Sequence, residues 1–140
     1  MNLDDLSYIQ QNDPSNMLAE IDGLPQQLGK AWKLGMDTET RSLPETGSLK
    51  QIVITGMGGS AIGADLLAAY VQPICKLPVI VHRDYGLPAF AVGPETLVVT
   101  SSHSGNTEET LDAFDVALGS GCKMVAICTG GKLSQKAKDA

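Results

Sequence analysis

The sequence predicts an α/β fold: a doubly wound parallel sheet of four visible strands in flavodoxin-like order, preceded by a helical extension. Three observations carry this expectation. Four short, continuously apolar runs recur from residue 51 onward, helical segments separate them, and glycine-rich or hydroxyl-rich turns follow them. Strands covered by crossover helices on both faces read as unbroken apolar runs, whereas half-solvated antiparallel strands alternate.

Residues 1–50 differ in kind from the rest. Met17, Ile21, Leu24, Leu28 and Trp32 recur at helical spacing, interrupted by Gly23 and Pro25, which predicts two short amphipathic helices with Pro25 opening the second. A polar connector over 37–48 follows, and residues 51–140 form the α/β domain. Its first strand is QIVIT (51–55), after which Ile62, Leu66 and Ala69 or Tyr70 mark one face of a helix. PVIVH (78–82) is the second strand, and a loop rich in Gly and Pro leads to the third, TLVVTS (96–101). Leu111, Phe114 and Leu118 share a face of the next helix, KMVAIC (123–128) is the fourth strand, and KLSQKAKDA is helix-like.

With 140 residues, 43% of them hydrophobic and 19% charged, the chain has the composition of one globular core rather than of disorder. Sixteen acidic residues against ten basic give a net charge of −6, a field that repels nucleic acid and anionic membranes. No apolar run reaches the length of about 18 needed to span a bilayer, and the start, MNLDDLSYIQ, is acidic where a signal peptide is basic. The expected location is cytoplasmic. Cys75, Cys122 and Cys128 are an odd number without C-x-x-C spacing, which fits small buried hydrophobes in a reducing compartment.

Two loops stand out chemically. In TGMGGSAIGADLL (55–67), Gly56, Gly58 and Gly59 permit tight turning and close backbone approach, Ser60 is placed to cap the helix or offer a hydroxyl, and Gly63 permits close helix-to-sheet packing. A helix N-terminus with free amides is an anion site. In TSSHSGNTEETL (100–111), Ser101, Ser102, Ser104 and Thr107 supply four hydroxyls within seven residues, and Asn106 with Glu109 has the spacing of a capping box. In a sheet of order 2-1-3-4 the first and third strands flank the topological switch point, so both loops face one crevice. Amides and hydroxyls suit a phosphate dianion, and neither loop contains Arg or Lys. Lys132, in the third loop TGGKL (129–133), is placed to supply charge or to be a solvated lysine at a helix start.

Rival readings are weaker. Gly56, Gly58 and Ala61 fit a relaxed dinucleotide pattern with Asp84 as a ribose ligand, but Arg83 beside Asp84 disturbs that contact, and such a site has no use for the hydroxyl-rich loop. The Walker pattern is absent. His82 and His103 lie apart from any ligand spacing, so no metal is expected; His103, inside the hydroxyl-rich loop, is a candidate for proton transfer or an exposed loop histidine, and no cofactor is expected.

GMGGSAIGADLL with SSHSGNTEETL, together with LPVIVHRDYGLP and the helical preamble, resembles the SIS (sugar isomerase) domain, and more closely the N-terminal portion of the bifunctional phosphoglucose/phosphomannose isomerase family. The resemblance implies a phosphate site made by Gly59, Ser60, Ser102, Ser104 and Thr107, with Lys132 assisting near the reacting carbons. It implies glucose 6-phosphate or mannose 6-phosphate interconverted with fructose 6-phosphate through an enediol, and a homodimer. His103 departs from the tyrosine common at its position. The family's catalytic Glu and His have no counterpart here, so the chain alone is expected to be inactive, and a further strand implied by the fold is expected beyond its last residue. Glu108 and Glu109 fall in a first helical turn, where acidic residues complement the helix dipole. The alternative from another class is a non-catalytic phosphosugar-sensing module; the acidic first 50 residues contain no basic recognition helix, which favours isomerase ancestry.

Overall fold

The computed structural model describes residues 4–38 and 47–140, in two compact units, 1–42 and 43–140. The first unit consists of α1 (Leu6–Asn12), α2 (Met17–Asp22) and α3 (Leu24–Asp37). Two helices were expected over this stretch, and the additional one is α1. Its start is set by Asp5, whose carboxylate accepts hydrogen bonds from the Ser7 and Tyr8 amides at 3.0 and 3.2 Å. Asp13 serves α2 in the same way, accepting from Met17 and Leu18 at 2.7 and 2.8 Å. Pro25 sits in the first turn of α3, where its missing N–H is not needed. None of these helices contains a buried residue, and Leu28, Trp32 and Met36 are exposed.

In the second unit, β1 (Gln51–Thr55), β2 (Val79–His82), β3 (Thr96–Ser101) and β4 (Lys123–Ile127) form one parallel sheet of order β2-β1-β3-β4. The α/β class and the strand order match the expectation. Crossovers run through α4 (Gly58–Val71) and α5 (Glu108–Gly119), and α6 (Gly131–Asp139) follows β4. Thr55 is in register with Thr100, so β1 and β3 end side by side and release their loops at the same level. Val53, Val98, Ala61, Ala113, Phe114, Ala117 and Leu133 form the core around this central pair.

The faces of the two crossover helices depart from expectation. Ile62, Leu66 and Tyr70 of α4 are 60%, 69% and 64% exposed, while the small residues Ala61 and Ala64 are buried. The helix is apolar nearly all round, so periodicity does not reveal which side meets the sheet; small side chains win because they let the helix lie close. Gly63 does not mediate that approach, since a Cβ there would meet nothing within 4 Å. On α5 the buried side is Thr110, Ala113, Phe114 and Ala117, and of the expected face only Phe114 is buried, with Leu118 left exposed.

Candidate functional site

The first loop turns sharply because Gly56 lies against the neighbouring strand. A Cβ on Gly56 would sit 2.9 Å from the Ser101 carbonyl oxygen, closer than any side chain tolerates, and Gly58 takes a left-handed φ of 50° to enter α4. Met57 is the N-cap and contributes no side-chain cap, so Ser60 does not cap the helix as expected; it is the third residue of α4 and lines the crevice. The Ser60 amide already donates to the Met57 carbonyl at 3.1 Å, so helix geometry leaves the Gly58 and Gly59 amides as those without an intrahelical acceptor at the positive end of the α4 dipole.

The second loop is built on Ser102. This residue is 2% exposed; its hydroxyl hydrogen-bonds the Thr107 hydroxyl at 2.9 Å and accepts from the Gly105 amide at 3.1 Å. Ser104 Oγ accepts from the Asn106 amide at 3.2 Å. The expected capping box does not form: Thr107 is the N-cap of α5, and the Asn106 side chain is used elsewhere. Its Nδ2 donates to the Ser104 carbonyl at 3.1 Å, and its Oδ1 accepts from the Lys132 amide at 3.1 Å.

That last bond is one of several ties between the second and third loops. The Thr129 amide and hydroxyl both donate to the His103 carbonyl, at 3.1 and 2.6 Å, and the Leu133 amide donates to the Gly105 carbonyl at 2.9 Å. Gly105 has φ 67°, and a Cβ on it would overlap the Gly130 carbonyl oxygen; one on Gly131 would overlap the Ser104 carbonyl oxygen. The loops therefore meet backbone to backbone. Sequence reasoning missed this clamp, although the Gly130–Gly131 pair was its visible trace.

Gly59, Ser60, Ser104 and Thr107 come together with Met57 and His103 around a crevice of about 560 Å³. Ser102 does not line it but lies beneath, fixing Thr107. A smaller cavity of about 250 Å³ adjoins, sharing Ser60 and His103 and adding Ser101, Ile127, Cys128 and Thr129. Cys128 is therefore half-buried at the edge of the site. Lys132 lines neither space, and its ammonium makes no hydrogen bond or ion pair among the described residues.

Side chains nominated by the rival readings are engaged elsewhere. Arg83 pairs with Asp65 of α4, and the Asp84 carboxylate accepts from the Tyr85 amide at 2.8 Å. His82 Nε2 lies 3.3 Å from the Tyr85 carbonyl oxygen. Partial burial of Tyr85, then the nearby Glu108 and Glu109 carboxylates and a hydrogen bond to Glu108, push its phenol up from the ordinary value. Glu108 does not line the crevice. Among the described residues no group of three His, Cys, Asp or Glu could hold a metal, and no helix is long and apolar enough to cross a membrane.

The fold and the crevice define a class first: a doubly wound α/β domain presenting hydroxyls and helix N-termini at its topological switch point. The chain belongs to the SIS domain family, whose profile matches residues 48–140. It is 48% identical over 122 residues to the bifunctional phosphoglucose/phosphomannose isomerase of Caldicellulosiruptor bescii, covering 87% of this chain and 35% of that protein. The protein of the same name from Thermoplasma acidophilum is 43% identical over 94 residues, covering 67% of this chain and 29% of the relative. The chain thus spans about a third of the length of these relatives. Among solved structures, a Clostridium difficile 630 protein described as a phosphosugar isomerase superposes with a TM-score of 0.56 at 27% identity, over 64% of this chain and 26% of that one. Tagatose-6-phosphate ketose/aldose isomerase from Escherichia coli shares the fold, with a TM-score of 0.55 at 23% identity over 88% of this chain and 33% of that one.

Proposed function

We propose that this chain is the phosphosugar-binding SIS domain of an aldose–ketose isomerase that interconverts glucose 6-phosphate or mannose 6-phosphate with fructose 6-phosphate. The observation that carries the reading is the convergence of Gly59 and Ser60 with Ser104 and Thr107 on one crevice beside the start of α4. Phosphate oxygens need several donors at fixed positions, and a helix start plus rigid hydroxyls supplies them. Ser102 contributes by holding the Thr107 hydroxyl, and Lys132, in the first turn of α6, is assigned to the sugar end of the ligand. No cofactor enters this reading. A hexose phosphate as ligand and three free thiols fit a reducing, cytoplasmic setting.

The test is a thermal shift. Millimolar glucose 6-phosphate or fructose 6-phosphate is expected to raise Tm, as any ligand of the native state does, and Ser60→Ala and Thr107→Ala are expected to abolish most of the shift. A shift by NAD with none by either sugar phosphate would refute the reading.

We infer in addition that the chain pairs with a second copy. The support is the apolar outer face of α4, where Ile62, Leu66 and Tyr70 stand exposed together.

A further inference from the structure

A dianion held in the crevice would meet an unusual charge balance. The six residues lining it are Met57, Gly59, Ser60, His103, Ser104 and Thr107, and the smaller adjoining cavity adds Ser101, Ile127, Cys128 and Thr129. Neither set contains a lysine or an arginine. The chain as a whole carries −6, so its mean field opposes an approaching anion. His103 is the only residue of either lining able to carry a positive charge, and it lines both spaces.

His103 is also held in place. Its carbonyl oxygen accepts the Thr129 amide and hydroxyl, so its backbone is pinned between the second and third loops while its side chain remains exposed at the crevice. The other ionisable groups nearby come from three elements. Cys128, at the end of β4, lines only the smaller cavity; Glu108 and Glu109, in the first turn of α5, and Lys132, in the first turn of α6, line neither.

We propose that His103, as an imidazolium, donates a charge-assisted hydrogen bond to the bound phosphate, supplying the cation that the lining otherwise lacks and making ligand affinity rise as pH falls. This rests on the phosphosugar reading and deepens it. Protonation of the imidazole and binding of the dianion are linked, so each favours the other.

The experiment is calorimetric titration of the full chain at pH 5.8 and pH 8.0 with two probes, glucose 6-phosphate and inorganic sulfate. Sulfate keeps two charges across this range, whereas a phosphate ester loses its second proton near pH 6, so sulfate isolates the protein's own titration. Sulfate affinity is expected to be about 10-fold higher at pH 5.8 than at pH 8.0, the scale of one charge-assisted bond at an exposed site. His103→Gln is expected to be flat at the weaker level, and His103→Arg flat at the tighter one. A flat wild type that still binds glucose 6-phosphate, or a His103→Gln variant that keeps the slope, overturns the role of His103 and leaves the phosphosugar reading standing. No binding of glucose 6-phosphate at either pH overturns both.

Discussion

At the scale of single residues, the site depends on three glycines for two different reasons. Gly56 is required by proximity alone, because its φ is ordinary and the Ser101 carbonyl occupies the space of a side chain. Gly105 and Gly131 combine proximity with left-handed backbone, and each faces the other loop's main chain. Left-handed φ costs an alanine about 1–2 kcal/mol, and the overlap adds to it. Gly105→Ala is therefore expected to destabilise the protein by about 2 kcal/mol or more in urea unfolding and to weaken the sugar-phosphate thermal shift beyond what lost stability accounts for. Gly63→Ala is the control, since open space surrounds that position and alanine is the better helix former.

At the scale of elements, the strands were legible because strands of a parallel sheet are largely apolar along their length: QIVIT and TLVVTS form the central pair that holds the buried residues, while KMVAIC, equally apolar, is an edge strand that is only half-buried and leaves Ile127 exposed. The loops were legible as chemistry but not as architecture. Asn106 and Glu109 have capping-box spacing, yet Asn106 ties Ser104 to Lys132, a partner 26 positions away that no local pattern records. The outward side of α4 was illegible for another reason: a helix apolar on every side offers two faces, and only packing chooses between them. The N-terminal helices hide a different signal. Asp5 and Asp13 are held below the usual carboxylate range, Asp5 first by the Ser7 hydroxyl and Asp13 first by the Leu18 amide. A depressed folded value gives stabilisation that is present above the unfolded value near 4 and is lost as pH falls through the folded one. Circular dichroism is accordingly expected to show helix content falling below about pH 4, with Asp13→Ala already reduced at pH 7.

At the scale of the whole molecule, the distribution of apolar surface is uneven. Leu66, Tyr70 and Ile74 are each more than three-fifths exposed on or just after one helix, a concentration that solvent disfavours and a second protein surface would cover. If two copies pair through it, Leu66→Glu places a charge in the contact and is expected to shift sedimentation from dimer to monomer without lowering Tm, because Leu66 contributes little to the chain's own core. A wild type that sediments as a monomer at tens of micromolar would remove that pairing.

The backbone clamp between the second and third loops has a practical consequence for dissecting or redesigning the domain. The serine loop's own hydrogen bonds set only part of its shape: its curvature is also cast against Gly130 and Gly131, and its Gly105 carbonyl is anchored by the amide of Leu133, a residue fully buried from α6. Residues 102–107 grafted onto another parallel sheet would carry the hydroxyls without their mould. A transplant must take 129–133 along with them, and drift at any one of the glycines in the pair of loops constrains what the others can become.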